Sequence, residues 1–179
     1  EVPIAMLCDP AVRQVLIDNG EDPAETLDLF VSLIQEALRD RPADMTVAMH
    51  LCRGNYKGQW MAAGGYDSVA EKLFAEVPVD AFFLEYDSER AGDFVPLDAM
   101  PADKRVVLGL VTTKVPESPS KADLIGRIEA AAEHVPLDRL AISPQCGFAS
   151  SVGGNPVTEA DERAKLSLCA EVAAEVWGT

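Results

Sequence analysis

Short apolar runs alternate with longer amphipathic segments along the chain. Runs of about four to eight apolar residues between polar turns are typical of buried strands. Strands that alternate with helices predict β/α units and a parallel sheet. Five such runs are present: Ile4 to Leu7, Met45 to Cys52, Ala81 to Tyr86, Val106 to Val111, and Leu140 to Ser143.

The segments between these runs carry helix start signals. Asp22 followed by Pro23 opens a segment in which Leu27, Val31 and Ile34 share one helical face, so a helix is predicted there. A hydroxyl residue three positions before an acid is a capping signal. That signal predicts three more helix starts, at Ser68 with Glu71, Ser120 with Asp123, and Thr158 with Asp161.

Several predicted strands are apolar on both faces, which suits parallel strands covered by helices. A closed barrel and an open doubly wound sheet both satisfy that pattern. Long polar loops follow three of the strands, at 53–65, 87–96 and 146–156, whereas the reverse connections are short. In a β/α barrel the long loops form the catalytic face.

We therefore expect an α/β fold, a (β/α)8 TIM barrel of which residues 1–179 form the C-terminal five β/α units. Those units belong to a single catalytic domain. Five units fall short of the eight that a closed barrel requires. The missing N-terminal barrel segment is expected in cis or from another chain, because open sheet edges promote aggregation.

Composition narrows the class of protein. The chain has 179 residues, 48% of them apolar and 25% charged, with a net charge of −15. Such an acidic balance opposes binding to nucleic acid or to anionic membranes. No apolar run approaches the roughly 20 residues that span a bilayer. A cytoplasmic protein with reduced, widely separated cysteines is expected.

Candidate ligands for a metal lie where predicted strands end. Alternation along Thr46 to Cys52 puts His50 and Cys52 on the same face, opposite an apolar face. Glu85 closes the run that begins at Ala81, where an unpaired charge would carry a large desolvation cost. Cys146 follows Pro144, which ends the last run, and precedes Gly147. All four side chains are therefore expected at the mouth of the barrel.

One imidazole, two thiolates and one carboxylate form a plausible zinc set, and thiolate ligands argue against magnesium or calcium. The His-x-Cys pair alone is weak evidence, because a buried histidine and cysteine often only pack. Structural zinc sites use closely spaced ligand pairs. The long gaps here therefore favour a catalytic zinc ion.

Three segments resemble the C-terminal catalytic barrel of cobalamin-independent methionine synthases, and more closely their shorter single-barrel relatives. They are His50-Leu51-Cys52-Arg53-Gly54-Asn55, Phe83-Leu84-Glu85-Tyr86-Asp87, and Ser143-Pro144-Gln145-Cys146-Gly147-Phe148. The resemblance covers nearly the whole chain. It implies that His50, Cys52, Glu85 and Cys146 bind the zinc ion that activates homocysteine.

The resemblance also implies an activity similar to that of 5-methyltetrahydropteroyltriglutamate-homocysteine S-methyltransferase, an enzyme of methionine biosynthesis. A small thiol would be activated as a zinc thiolate and methylated from a folate or corrinoid donor. Four protein ligands leave no open tetrahedral position. We therefore expect the bond from Glu85 to the metal to break or to lengthen when the substrate sulfur enters.

Four further residues are candidates for substrate binding: Asp9, Arg53, Asn55 and Lys114. Aligning the family's Asp-Glu-Pro with Cys8-Asp9-Pro10 puts Cys8 where an aspartate contacts the amino group of homocysteine. Either Asp9 takes over that role, or Cys8 is simply buried. Lys114 stands where the family has a histidine, and it either binds an anionic group or lies solvated on the surface.

Arg53 and Asn55 follow the zinc pair in the short relatives, some of which add the thiol of coenzyme M to epoxides. Arg53 suits a carboxylate or sulfonate, and the alternative is a salt bridge to Asp87 or Asp93. A zinc-dependent thiol transferase of this epoxide type is the second functional hypothesis. A non-catalytic fragment is the third.

Overall fold

The computed structural model describes residues 2–178. Within that range a four-stranded sheet has the order β1-β2-β3-β4, and neighbouring strands are parallel. The strands are β1 (Ala48–Leu51), β2 (Ala81–Glu85), β3 (Arg105–Val111) and β4 (Leu140–Pro144). The helices are α1 (Val2–Met6), α2 (Pro10–Asp18), α3 (Pro23–Ala37), α4 (Ala70–Glu76), α5 (Lys121–Ala132) and α6 (Glu159–Trp177).

The first apolar run is not a strand, so the prediction of a strand from Ile4 to Leu7 was wrong. Residues 2–6 form helix α1, in which Ile4 and Ala5 are fully buried. A run of this length has the same apolar pattern in a buried strand and in one turn of a buried helix. The described residues therefore contain four of the five predicted strands.

The predicted helix starts are correct where the hydroxyl residue forms a capping hydrogen bond with its own helix. Ser120 and Thr158 each form a reciprocal capping box, with Asp123 and Asp161 respectively. Asp22 caps α3 at Pro23 as predicted. The start at Ser68 was wrong, because α4 begins at Ala70 without a side-chain cap. Ser68 Oγ instead donates to the Leu7 carbonyl at 3.0 Å.

The two faces of the sheet differ sharply in burial. Side chains on the helix-covered face, such as Phe82, Leu84 and Leu108, are fully buried. On the other face Phe83 is 37% exposed although it lies in the middle of β2. Among residues 2–178, helices therefore cover one face, and the face that carries His50 is open.

The strand register brings the carboxyl ends of the strands to one edge. Leu51 of β1 pairs with Leu84, and Glu85 pairs with Gly109 of β3. Gly109 in turn pairs with Ser143 of β4, followed by a register shift at Val111. The loops after β1, β2 and β4 therefore meet at this edge, which is where α/β folds place functional groups.

Candidate metal centre

Three metal-ligating side chains converge at the carboxyl edge of the sheet. His50 is in β1, Cys52 follows β1, and Cys146 follows β4. Among residues 2–178 these form a group whose ligand atoms all lie within 4.8 Å of one another. His50 Nε2 is 3.7 Å from Cys146 Sγ. The alternation of β1 thus directs His50 and Cys52 together, as predicted.

The convergence requires more than strand alternation, because β1 and β4 are not neighbours. Three strand spacings in a flat sheet would separate them by about 14 Å. Curvature of the sheet and the inward turn after β4 close that gap. The turn depends on Cys146 itself, which has a left-handed backbone with φ 54°. A non-glycine residue in that region is strained and is often found at functional sites.

The thiols of Cys52 and Cys146 form a hydrogen bond with each other. A hydrogen bond with Cys146 lowers the pKa of Cys52 to about 4, and His50 contributes in the same direction. The same pairing, together with burial, raises the pKa of Cys146. Cys52 is therefore the more readily deprotonated of the two thiols. A thiolate is the form of cysteine that binds metals.

Glu85 lies beside this group and is fully buried. Its carboxylate accepts hydrogen bonds from the Arg53 amide at 2.8 Å and from Gln145 Nε2 at 3.1 Å. Arg90 forms an ion pair with it, and Lys114 Nζ is 3.8 Å away. These side-chain cations offset the desolvation cost of burying the Glu85 carboxylate. The structure joins three of the four predicted ligands, and coordination by Glu85 stays a prediction.

An open cavity of about 480 Å³ adjoins the three ligand residues. It is lined by His50, Cys52, Asn55, Phe83, Cys146 and Ser150, among others. A cleft of similar volume, about 460 Å³, lies between α2, α3 and α4, and no thiol or imidazole lines it. The cavity beside the thiols is therefore the better candidate for a substrate site.

Of the four predicted substrate residues, only Asn55 lines this cavity. Its amide also holds the loops together, since Nδ2 donates to the Gly147 carbonyl at 3.4 Å and Oδ1 accepts from Gly58 N at 3.2 Å. Asp9 accepts from the amides of Ala11 and Ala63, each at 2.8 Å. The bond from Ala63 is the main reason that the pKa of Asp9 is lowered. Asp9 thus caps α2 and fastens the loop after β1.

Arg53 and Lys114 are both buried. Arg53 donates to the Gly64 carbonyl through Nε at 3.1 Å and Nη2 at 2.6 Å, and its guanidinium lies 4.0 Å from the centre of the Tyr66 ring. Among the described residues it forms no salt bridge with Asp87 or Asp93, but these contacts give it a structural role, and binding of a substrate carboxylate or sulfonate stays a prediction. Lys114 is 3.0 Å from Asp87 Oδ2. It is therefore not a solvated surface lysine.

Two residues of the site were missed in the sequence. Arg90 neutralises Glu85 and also lies 3.3 Å from Asp87 Oδ1. Gln145, with 1% exposure, contacts both Glu85 and Cys146. The sequence offered one signal for Gln145, which is that it directly precedes a candidate ligand at the end of a strand. Arg90 lies in a short 3₁₀ helix (Glu89–Ala91), and no local pattern directs it to Glu85.

Residues 3–174 match the sequence profile of the family described as "Cobalamin-independent synthase, Catalytic domain". The chain belongs to this family. It is 48% identical over 159 residues to the uncharacterized protein YxjG of Bacillus subtilis, covering 88% of this chain and 42% of YxjG. It is 21% identical over 148 residues to the 5-methyltetrahydropteroyltriglutamate–homocysteine methyltransferase of Blochmanniella pennsylvanica, covering 81% of this chain and 18% of that enzyme.

A solved structure from Listeria monocytogenes, provisionally named a vitamin-B12 independent methionine synthase, has a TM-score of 0.73 and 38% sequence identity. The match covers 99% of this chain and 47% of that one. The predicted fold class, part of a (β/α)8 barrel, is thereby confirmed. The chain spans less than half the length of YxjG and of the Listeria protein.

Within residues 2–178, no helix combines the length and the apolar character that a membrane span needs.

Proposed function

We propose that this chain provides the metal-binding half of a zinc-dependent S-methyltransferase that acts on a small thiol of the homocysteine type, with a folate or corrinoid methyl donor. The observation that carries the proposal is the convergence of His50, Cys52 and Cys146 within 4.8 Å beside an open cavity. Membership of the cobalamin-independent synthase family supports the reaction class.

The donor set fits zinc. One imidazole nitrogen and two thiol sulfurs are ligands that zinc prefers, and three protein ligands are typical of catalytic zinc sites. The low pKa of Cys52 supplies a thiolate without the cost of deprotonation at neutral pH. A zinc ion held there would lower the pKa of a substrate thiol and supply a nucleophile at neutral pH.

The chain's own residues would shape the substrate site around that group. Phe83 and Asn55 line the cavity, so they offer an apolar contact and an amide to the body of the substrate. Glu85 forms an ion pair with Arg90 and lies 3.8 Å from Lys114 Nζ, so its carboxylate already has cationic partners within the protein.

We also propose that four further strands complete the barrel, in cis or from another chain. The inner sheet face is open, with Phe83 37% exposed. In the described part of the chain β1 and β4 each have one neighbour only. The relatives are more than twice as long as the region they share with this chain. The completing half would cover Phe83 and close the cavity.

Mixing the purified chain with the part of YxjG that lies outside the matched region tests assembly. We expect a one-to-one complex by size-exclusion chromatography with light scattering. Phe83→Lys on the open face should prevent it. The control Val95→Lys, at a position that is 53% exposed beside α4, should not.

The assembled, zinc-loaded protein would then be incubated with homocysteine and either 5-methyltetrahydrofolate or a methylcorrinoid. We expect methionine, detected by mass spectrometry, with loss of product in Cys52→Ser and retention in Cys169→Ser. A zinc-loaded complex that methylates homocysteine from neither donor contradicts the proposal. A thioether formed from coenzyme M and an epoxide would instead support the thiol transferase.

A further inference from the structure

Gln145 occupies a fixed position between the end of β4 and Cys146. Its backbone amide donates to the Val111 carbonyl at 2.7 Å, and its carbonyl accepts from Thr113 Oγ1 at 2.5 Å. The residue is 1% exposed. Its main chain is therefore anchored to the end of β3, and its side chain lies inside the protein.

The side-chain amide of Gln145 joins Glu85 to Cys146. Nε2 donates to Glu85 Oε2 at 3.1 Å and contacts Cys146 Sγ at 3.2 Å. A primary amide nitrogen carries two hydrogens, so both bonds form at once. The amide therefore fixes the position of Cys146 Sγ relative to the buried carboxylate of Glu85.

Gly109 creates the space that this amide occupies. A Cβ built at Gly109 would lie 2.3 Å from Gln145 Oε1 and 2.9 Å from the Leu84 carbonyl. Both separations are far below van der Waals contact. Any residue other than glycine in the middle of β3 would therefore displace the amide from its position between Glu85 and Cys146.

Glu85 is itself held rigidly, by the Arg53 amide and by Arg90. Gln145 therefore connects a fixed, buried carboxylate to a cysteine whose own backbone is strained at φ 54°. A strained conformation persists only where its surroundings over-determine it. The hydrogen bonds of Gln145 supply that constraint at Cys146.

We infer that Gln145 is a positioning residue for the metal centre, which orients Cys146 Sγ toward His50 and Cys52 by anchoring it to Glu85. The inference rests on the proposed zinc site. Groups that hydrogen-bond to metal ligands typically change metal affinity by roughly 10- to 100-fold when they are removed.

Gln145→Met tests this role, because methionine has a similar volume and no amide donors. We expect zinc affinity, measured by competition with a chromophoric chelator, to fall roughly 10- to 100-fold. In the cobalt-substituted protein, the thiolate-to-cobalt absorption band should weaken or shift. Gln14→Met, at an exposed glutamine of α2, should change neither quantity.

Gly109→Ala provides a second variant if Gln145→Met does not fold. It keeps the amide but fills its space, and it should weaken zinc binding in the same direction. Thermal unfolding of the metal-free proteins separates the positioning role from a structural one. A variant that loses stability but keeps wild-type zinc affinity and cobalt spectrum overturns the inference.

The zinc content of the wild-type protein separates failure of the proposed function from failure of the inference about Gln145. If wild-type protein binds no zinc, the proposed function fails together with the inference. If the wild type binds zinc and Gln145→Met binds it equally well, only the role of Gln145 is overturned.

Discussion

At the scale of single residues, the candidate metal centre contains possible metal ligands and the residues that hold them in place. His50, Cys52 and Cys146 could be predicted, because strand alternation and strand ends direct them to one edge. Arg90 could not, because it reaches Glu85 from a short 3₁₀ helix (Glu89–Ala91) whose placement depends on tertiary packing. Gln145 could have been found only from its position directly before Cys146. The left-handed backbone of Cys146 could not be predicted either, because residues other than glycine rarely adopt that conformation.

The ion pair between Arg90 and Glu85 should be essential for stability. Arg90→Met leaves the fully buried Glu85 with Lys114 as its remaining cation. Removing one partner of a buried pair typically costs about 3–5 kcal/mol. We expect a loss near the lower end of that range, measured by urea denaturation at pH 7, because Lys114 still screens the charge.

Arg163→Met is the matched control, since it breaks an ion pair with Glu159 in which both side chains are 76% exposed. Exposed pairs contribute little, so its stability should change by less than about 0.5 kcal/mol. Equal effects of the two substitutions would contradict the role assigned to Arg90.

At the scale of secondary-structure elements, the correct helix starts are those at which the capping residue bonds to its own helix. The capping boxes of α5 and α6 and the Asp-Pro start of α3 involve neighbours within a few residues, so they could be read without knowledge of the fold. Ser68 carried the same signal, but its hydroxyl bonds to Leu7, 61 residues away. Tertiary contacts overrode the local pattern there. The prediction at Ile4 failed for another reason, because its apolar pattern fits a buried strand and a helical turn equally well.

The capping box of α6 offers a test at this scale. Thr158 Oγ1 accepts from the Asp161 amide at 3.2 Å. Thr158→Ala should lower the free energy of unfolding by about 0.5–2 kcal/mol. Thr158→Ser keeps the hydroxyl and should retain most of that stability in the same denaturation assay. A serine variant as unstable as the alanine variant would show that the cap is not what Thr158 contributes.

At the scale of the whole molecule, the apolar pattern predicted a parallel sheet with functional loops at its carboxyl edge. The pattern left barrel and open sheet as alternatives, because both bury the same strands under helices. The choice depends on curvature, which is a property of the assembled sheet. The same curvature brings the ends of the non-adjacent strands β1 and β4 together, so the distances within the metal centre could not be derived from the sequence.

We propose that this chain binds one zinc ion through His50, Cys52 and Cys146. The most direct measurement is metal content by mass spectrometry, made on protein purified without added zinc. We expect about one zinc per chain in the wild type and in Cys169→Ser, and strongly reduced zinc in Cys146→Ser. A well-folded wild-type protein that contains no zinc and takes up none on addition would contradict the account.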